Sequence, residues 1–253
     1  MKRDRIVVIA GLAAITLLSW AYIIHLNKEM AGMDMGSEMS MPRMRTWRGA
    51  DLRLTFLMWT VMMAAMMTPT VSLMILTYAA MSRRRDTRRS PTLQTTAFLL
   101  GYLLVWLVFS VAATLIQWEL HSAALLSPMM VSTSQLLSGL LLVAAGAYQL
   151  TPLKQACLSR CRHPLGFLMS EWRDGATGTL VMGLRHGLYC LGCCWLLMAL
   201  LFVAGVMNLL WVALLTFCVL LEKTVPAGRW ISRVVGLAAA VGGVWILAHA
   251  AGG

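Results

Sequence analysis

Charged residues are scarce in this chain. Only 12% of its 253 residues are Asp, Glu, Lys or Arg, whereas 59% are hydrophobic and the mean hydropathy is +0.74. This composition excludes an ordinary soluble domain and predicts a protein with several membrane-spanning helices. The GxxxxGK[ST] loop, the HExxH motif and a Ser-His-Asp arrangement are also absent from the sequence. We therefore predict that the chain is not an enzyme and does not drive ATP-powered pumping by itself.

Acidic residues are the scarcer of the two charge types. Ten Asp and Glu stand against 21 Lys and Arg, so the formal net charge is +11. The basic residues fall in short loops between apolar runs, where membrane orientation accounts for them, and we therefore predict no nucleic-acid partner.

The apolar runs predict an all-α, polytopic membrane helix bundle that forms one domain over 1–253. No charge occurs from 187 to 221, and one helix over 188–221 would be about 51 Å long against a hydrocarbon core of about 30 Å. A hairpin near 205–208 therefore divides this run and makes seven transmembrane helices; without the division there are six. The predicted spans are 6–26, 54–81, 95–118, 134–151, 179–203, 207–222 and 231–250.

Basic residues also predict the orientation of the bundle. Five arginines lie between 83 and 89, which places that loop and the N-terminus on the cytoplasmic side. Alternation then makes 27–53 an outer, Met-rich loop and 152–178 a cytoplasmic, amphipathic loop with two cysteines. The same rule assigns Lys154 and Lys223 to inner loops.

Two groups of methionines indicate a soft-metal ligand set. Thioether sulfurs are neutral, favour Cu(I) over hard cations and need no deprotonation. In the second apolar run the methionines form neighbouring stripes on a helix that Pro69 interrupts, although Met also serves for ordinary packing. The candidate ligands are Met33, Met35, Met39 and Met41 in the outer loop, and Met62, Met63, Met66 and Met67 in the second run.

A third sulfur group lies in the fifth apolar run. His186, Cys190, Cys193 and Cys194 fit within a helical arc of about 100° and so face one partner. Thiols and imidazole are metal ligands, but Cys190 and Cys193 also have the CxxC spacing of a redox pair. Cys157 and Cys161 have one-face spacing in a helix and form a candidate inner pair.

Four stretches carry a resemblance to a known family: 58–69, 148–157, 187–195 and 207–211. Together they resemble the bacterial predicted metal-binding integral membrane proteins, a family of unknown function, over roughly 50–230. The resemblance implies a multi-pass inner-membrane protein that binds metal. The matching positions with ligand chemistry are Met62, Met63, Met66, Met67, Cys157, Cys161, Cys190, Cys193 and Cys194.

These patterns predict a protein of the bacterial inner membrane that binds Cu(I) and moves it across the membrane or hands it over within it. Membrane lipid surrounds the bundle, and a metallochaperone or a copper enzyme is the expected partner. Two alternatives stay open: a membrane thiol-disulfide oxidoreductase that uses Cys190 and Cys193, and a non-catalytic assembly subunit.

Overall fold

The computed structural model describes residues 2–34, 49–85, 91–123, 125 and 134–251, and the described residues contain helices and no strand. The helices are α1 (Lys2–Asp34), α2 (Gly49–Arg85), α3 (Pro91–Ser122), α4 (Gln135–Gln149), α5 (Pro152–Arg162), α6 (Pro164–Glu171), α7 (Gly175–Ala199), α8 (Leu201–Ala204), α9 (Leu209–Thr224) and α10 (Gly228–Ala251). The all-α prediction is therefore confirmed for this part of the chain.

Among the described residues, five helices are long and apolar enough to cross a membrane, which is consistent with a membrane protein. They are Ile6–Glu29, Gly49–Arg83, Thr92–Ser122, Gly175–Ala204 and Gly228–Ala250. A sixth span arises if α4 and α5, which are bent by 64° at their junction, count as one. The seventh predicted span corresponds to α9, which is too short to count among these helices because its 16 residues extend only about 24 Å.

Contacts between the helices give their relative directions. Tyr78 of α2 stacks on Phe98 of α3, and Trp59 of α2 donates to Gln117 of α3, so these helices are antiparallel. Along α3 and α7 the contacts run in the same order, because Gly183 adjoins the Phe98 backbone and Gly187 adjoins Val105. These two helices are therefore parallel, as alternating membrane crossings require. The absence of side chains at Gly183 and Gly187 allows this close approach.

The junction of α4 and α5 has a local cause. Pro152 cannot donate a backbone hydrogen bond and disfavours a helical residue before it, so the helix that ends at Gln149 does not continue. The Thr151 hydroxyl then accepts from the Lys154 backbone N–H at 3.3 Å and starts α5 in a new direction. The bend turns α5 against α7 rather than away from it.

The interruption predicted near 205–208 is present between α8 and α9. Gly205 has φ of 93°, a left-handed conformation that favours glycine, and the Asn208 side chain caps α9 by accepting from the Trp211 N–H. Asn27 of α1 donates to the Met207 carbonyl at 2.7 Å, which holds the turn against the first helix.

Candidate metal site in a cysteine cluster

Three cysteines of α7 lie in the packed interior. Cys190, Cys193 and Cys194 are each at most 1% exposed. The thiols of Cys193 and Cys194 both donate to the Cys190 carbonyl oxygen at 3.0 Å, so they converge on one turn of the helix. The spacing of these residues, three and four positions along the helix, places them on a shared face.

Helix α5 brings two more thiols against α7 at the level of these cysteines. Cys157 Sγ lies so close to Gly192 that a Cβ at this glycine would be 2.8 Å from the sulfur. The Cys161 thiol lies close enough to the Cys193 thiol of α7 for the two to interact electrostatically. We call the five residues Cys157, Cys161, Cys190, Cys193 and Cys194 the cysteine cluster. The sequence predicted two separate groups at different depths, whereas the bend before α5 folds them into one.

All cysteines in the described chain are free thiols. The sixth, Cys218, lies on α9 and is half-buried outside the cluster, where it provides a matched control for thiol chemistry. Within the described ranges, no three His, Cys, Asp or Glu side chains form a preassembled metal-holding group. The cluster therefore offers pairs of thiols rather than a closed four-ligand cage of the structural zinc type.

A lysine that the sequence assigned to a loop reaches the cluster. Lys223, at the end of α9, is 7% exposed, and its Nζ donates to Cys190 Sγ at 2.9 Å and to Thr70 Oγ1 at 3.1 Å. The Tyr102 hydroxyl lies 3.1 Å from the same sulfur. Cys190 thus contacts groups from α3 and α9, and Thr70 of α2 holds the lysine.

A buried ion pair lies next to Lys223. Lys154 and Glu222 are 0% and 1% exposed, and Lys154 Nζ is 2.7 Å from Glu222 Oε2. Gln149 donates to the other carboxylate oxygen at 3.0 Å. The positive-inside rule placed both lysines in inner loops, but the structure buries them: Lys154 pairs with Glu222, and Lys223 contacts Cys190 and Thr70.

His186 does not join the thiols by any hydrogen bond in the described structure. Its ring packs among Phe98, Tyr102 and Phe167, with centroid distances of 6.0, 5.9 and 5.2 Å. Its buried Nδ1 has no hydrogen-bond partner among the described residues. The histidine therefore forms part of an aromatic wall next to the cluster.

The methionines of α2 fall into two positions relative to the cluster. The Met67 carbonyl accepts from Tyr102 at 3.4 Å and from Thr70 at 2.9 Å, so the backbone of Met67 supports one group that contacts Cys190 and one that contacts Lys223. Met62, Met63 and Met66 are at most 1% exposed and belong to the common core. Of the outer methionines, Met33 lies in α1, while Met35, Met39 and Met41 fall outside the described residues.

Comparison with protein families assigns the chain to a family. Residues 56–246 match the model of the PpoB2 family, which is described as copper chaperone. The chain belongs to the PpoB2 copper chaperone family. The matched residues include most of α2, all of α3 to α9 and the whole cysteine cluster. They exclude α1 and the four outer candidate methionines, Met33, Met35, Met39 and Met41.

The family match overlaps the stretch that carries the sequence resemblance, and it gives that resemblance a more specific description. No curated protein and no solved structure matches the chain.

Proposed function

We propose that this protein binds Cu(I) at the cysteine cluster and carries it across the bacterial inner membrane or to a copper-requiring partner. The observation that carries the proposal is the convergence of thiols from α5 and α7 around Cys193. Membership of a family described as copper chaperone supports copper as the cargo. The protein acts in this proposal as a binding and delivery protein, not as an enzyme.

The chemistry of the donor set supports Cu(I) over zinc. Cu(I) is a soft ion that two thiolates can hold, whereas structural zinc sites use four ligands. The cluster supplies thiol pairs around Cys193, and the described residues contain no group of three or more such donors already arranged for a metal. A pair is also easier to exchange than a closed cage, which suits delivery.

A route through the protein follows from the kinds of sulfur along it. Met33, Met35, Met39 and Met41 would capture the ion outside, and Met62, Met63, Met66 and Met67 would offer weaker thioether ligands within the bundle. The cysteine cluster would then bind it more tightly, with His186 in the adjacent wall. Increasing ligand strength along this order favours inward movement, with release to a metallochaperone or copper enzyme.

Loss of one α5 thiol tests whether α5 belongs to the site. We expect Cys161→Ser to weaken Cu(I) binding about tenfold or more, or about 1.4 kcal/mol, because Cys193 loses a thiol within its reach. Cys218→Ser should bind as the wild type does. The measurement is a competition titration of the purified protein against a chromogenic Cu(I) chelator without oxygen. Equal affinities for both variants would contradict a site shared by α5 and α7.

The oxidoreductase alternative has one supporting observation. Cys190 and Cys193 have the CxxC spacing, and the Cys193 thiol lies 3.0 Å from the Cys190 carbonyl on the same turn of α7, so a disulfide between them is the redox product that this alternative requires. That activity predicts a mixed disulfide with a partner when one of the two is replaced. Copper delivery predicts no such adduct, and thiol trapping followed by electrophoresis distinguishes the two.

A further inference from the structure

Lys223 brings a positive charge to the cluster that the buried carboxylate does not neutralise. Glu222 is already engaged through both oxygens, by Lys154 at 2.7 Å and by Gln149 at 3.0 Å. Among the described residues, no carboxylate lies within ion-pair distance of Lys223 Nζ. Its partners are the Cys190 thiol and the Thr70 hydroxyl.

A buried ammonium group without a counter-charge is costly, because the protein interior solvates an ion less favourably than water does. A metal bound by thiolates changes this situation, since the thiols must lose their protons to act as ligands. Two thiolates around one Cu(I) carry a single negative charge. Lys223, next to one of those thiols, cancels that charge and leaves the loaded site neutral.

A divalent ion bound by the same pair of thiolates gives the site a different net charge. Two thiolates and Zn(II) are already neutral, so the ammonium group of Lys223 would stay uncompensated in the interior. Zinc would then need a third thiolate as well as further ligands to reach its usual coordination. The position of Lys223 therefore favours a monovalent ion over a divalent one.

We infer that Lys223 is a specificity-determining residue of the copper site, which selects Cu(I) over divalent metals by supplying one fixed positive charge beside Cys190. This inference rests on the proposed function and adds the basis of its metal preference. The Thr70 hydroxyl serves as the anchor that keeps the lysine side chain directed at the sulfur, at 3.1 Å from Nζ.

The test compares Lys223→Met with Lys223→Arg and the wild type. Each purified protein is titrated with Cu(I) and separately with Zn(II), both buffered by competing chelators without oxygen. We expect Lys223→Met to lose about tenfold to hundredfold in Cu(I) affinity, the range typical of residues that support metal ligands, while its Zn(II) affinity rises or stays constant. Lys223→Arg keeps the charge and should keep most of the preference.

The ratio of the two affinities is the decisive quantity, because a purely structural role would weaken both metals alike. Lys223→Gln, which keeps polar contact with Thr70, replaces the methionine variant if the latter is not recovered as folded protein. An unchanged Cu(I)-to-Zn(II) ratio in the neutral variant would overturn the inference while leaving the copper site intact. Failure of the wild type to bind Cu(I) would instead overturn the proposed function, and the inference with it.

Discussion

Replacement of Glu222 by Leu is expected to destabilise the protein severely, by about 3–5 kcal/mol, because it leaves Lys154 as a buried charge without its partner. Lys154 is 0% exposed and its Nζ has the Glu222 carboxylate at 2.7 Å. The pair also connects α5 to α9, and Gln149 adds α4 through the same carboxylate. Thermal unfolding of the detergent-solubilised variant, followed by its helical circular dichroism signal, measures this loss.

The matched control removes both charges at once. In Lys154→Met/Glu222→Leu neither member of the pair is left as an unpaired charge, and apolar replacements of buried ion pairs are often neutral or stabilising. We therefore expect the double variant to recover most of the midpoint temperature lost in Glu222→Leu. A double variant as unstable as the single one would mean that packing at these positions, rather than the unpaired charge, causes the loss.

Copper binding is expected to be lost when Cys190 and Cys193 are both replaced by Ser. These two residues carry the contacts that define the site: Cys193 donates to the Cys190 carbonyl and neighbours Cys161 of α5, and Cys190 contacts Lys223 and Tyr102. Serine keeps nearly the same shape but replaces a soft sulfur with a hard oxygen, which Cu(I) does not favour. The measurements are bound copper per purified protein and copper-dependent growth of cells that carry the variant.

Cys218→Ser serves as the control for removing a thiol elsewhere in the same protein. It should retain the copper content and growth of the wild type, because Cys218 lies outside the cluster. A double variant with undiminished copper would contradict a role for α7 as the binding helix. Wild-type growth of the double variant, with no copper bound to either protein, would instead favour an assembly subunit that needs no metal.

The long helices could be predicted because hydrophobic runs and arginine-rich loops are direct consequences of the membrane. The interruption at 205–208 followed from length alone, since 34 uncharged residues are too many for one crossing. The sharing of one face by Cys190, Cys193 and Cys194 followed from helical spacing. These features depend only on local sequence and on the thickness of the membrane.

The composition of the site could not be predicted in the same way. Thr151 and Pro152 indicate a break, but the 64° bend that brings α5 against α7 depends on packing between distant segments. Cys157 and Cys161 were therefore assigned to a separate inner loop. Lys154 and Lys223 were assigned to loops because the positive-inside rule treats every basic residue as exposed, and it has no means of recognising a buried pair.

X-ray absorption at the copper edge of the Cu(I)-loaded protein tests the central claim most directly. If thiols of the cysteine cluster hold the ion, the spectrum will show Cu(I) bound by two sulfur atoms, and the Cys190→Ser/Cys193→Ser variant will retain no copper and give no such spectrum. A first shell dominated by nitrogen or oxygen, or the same sulfur shell in the double variant, would contradict the account.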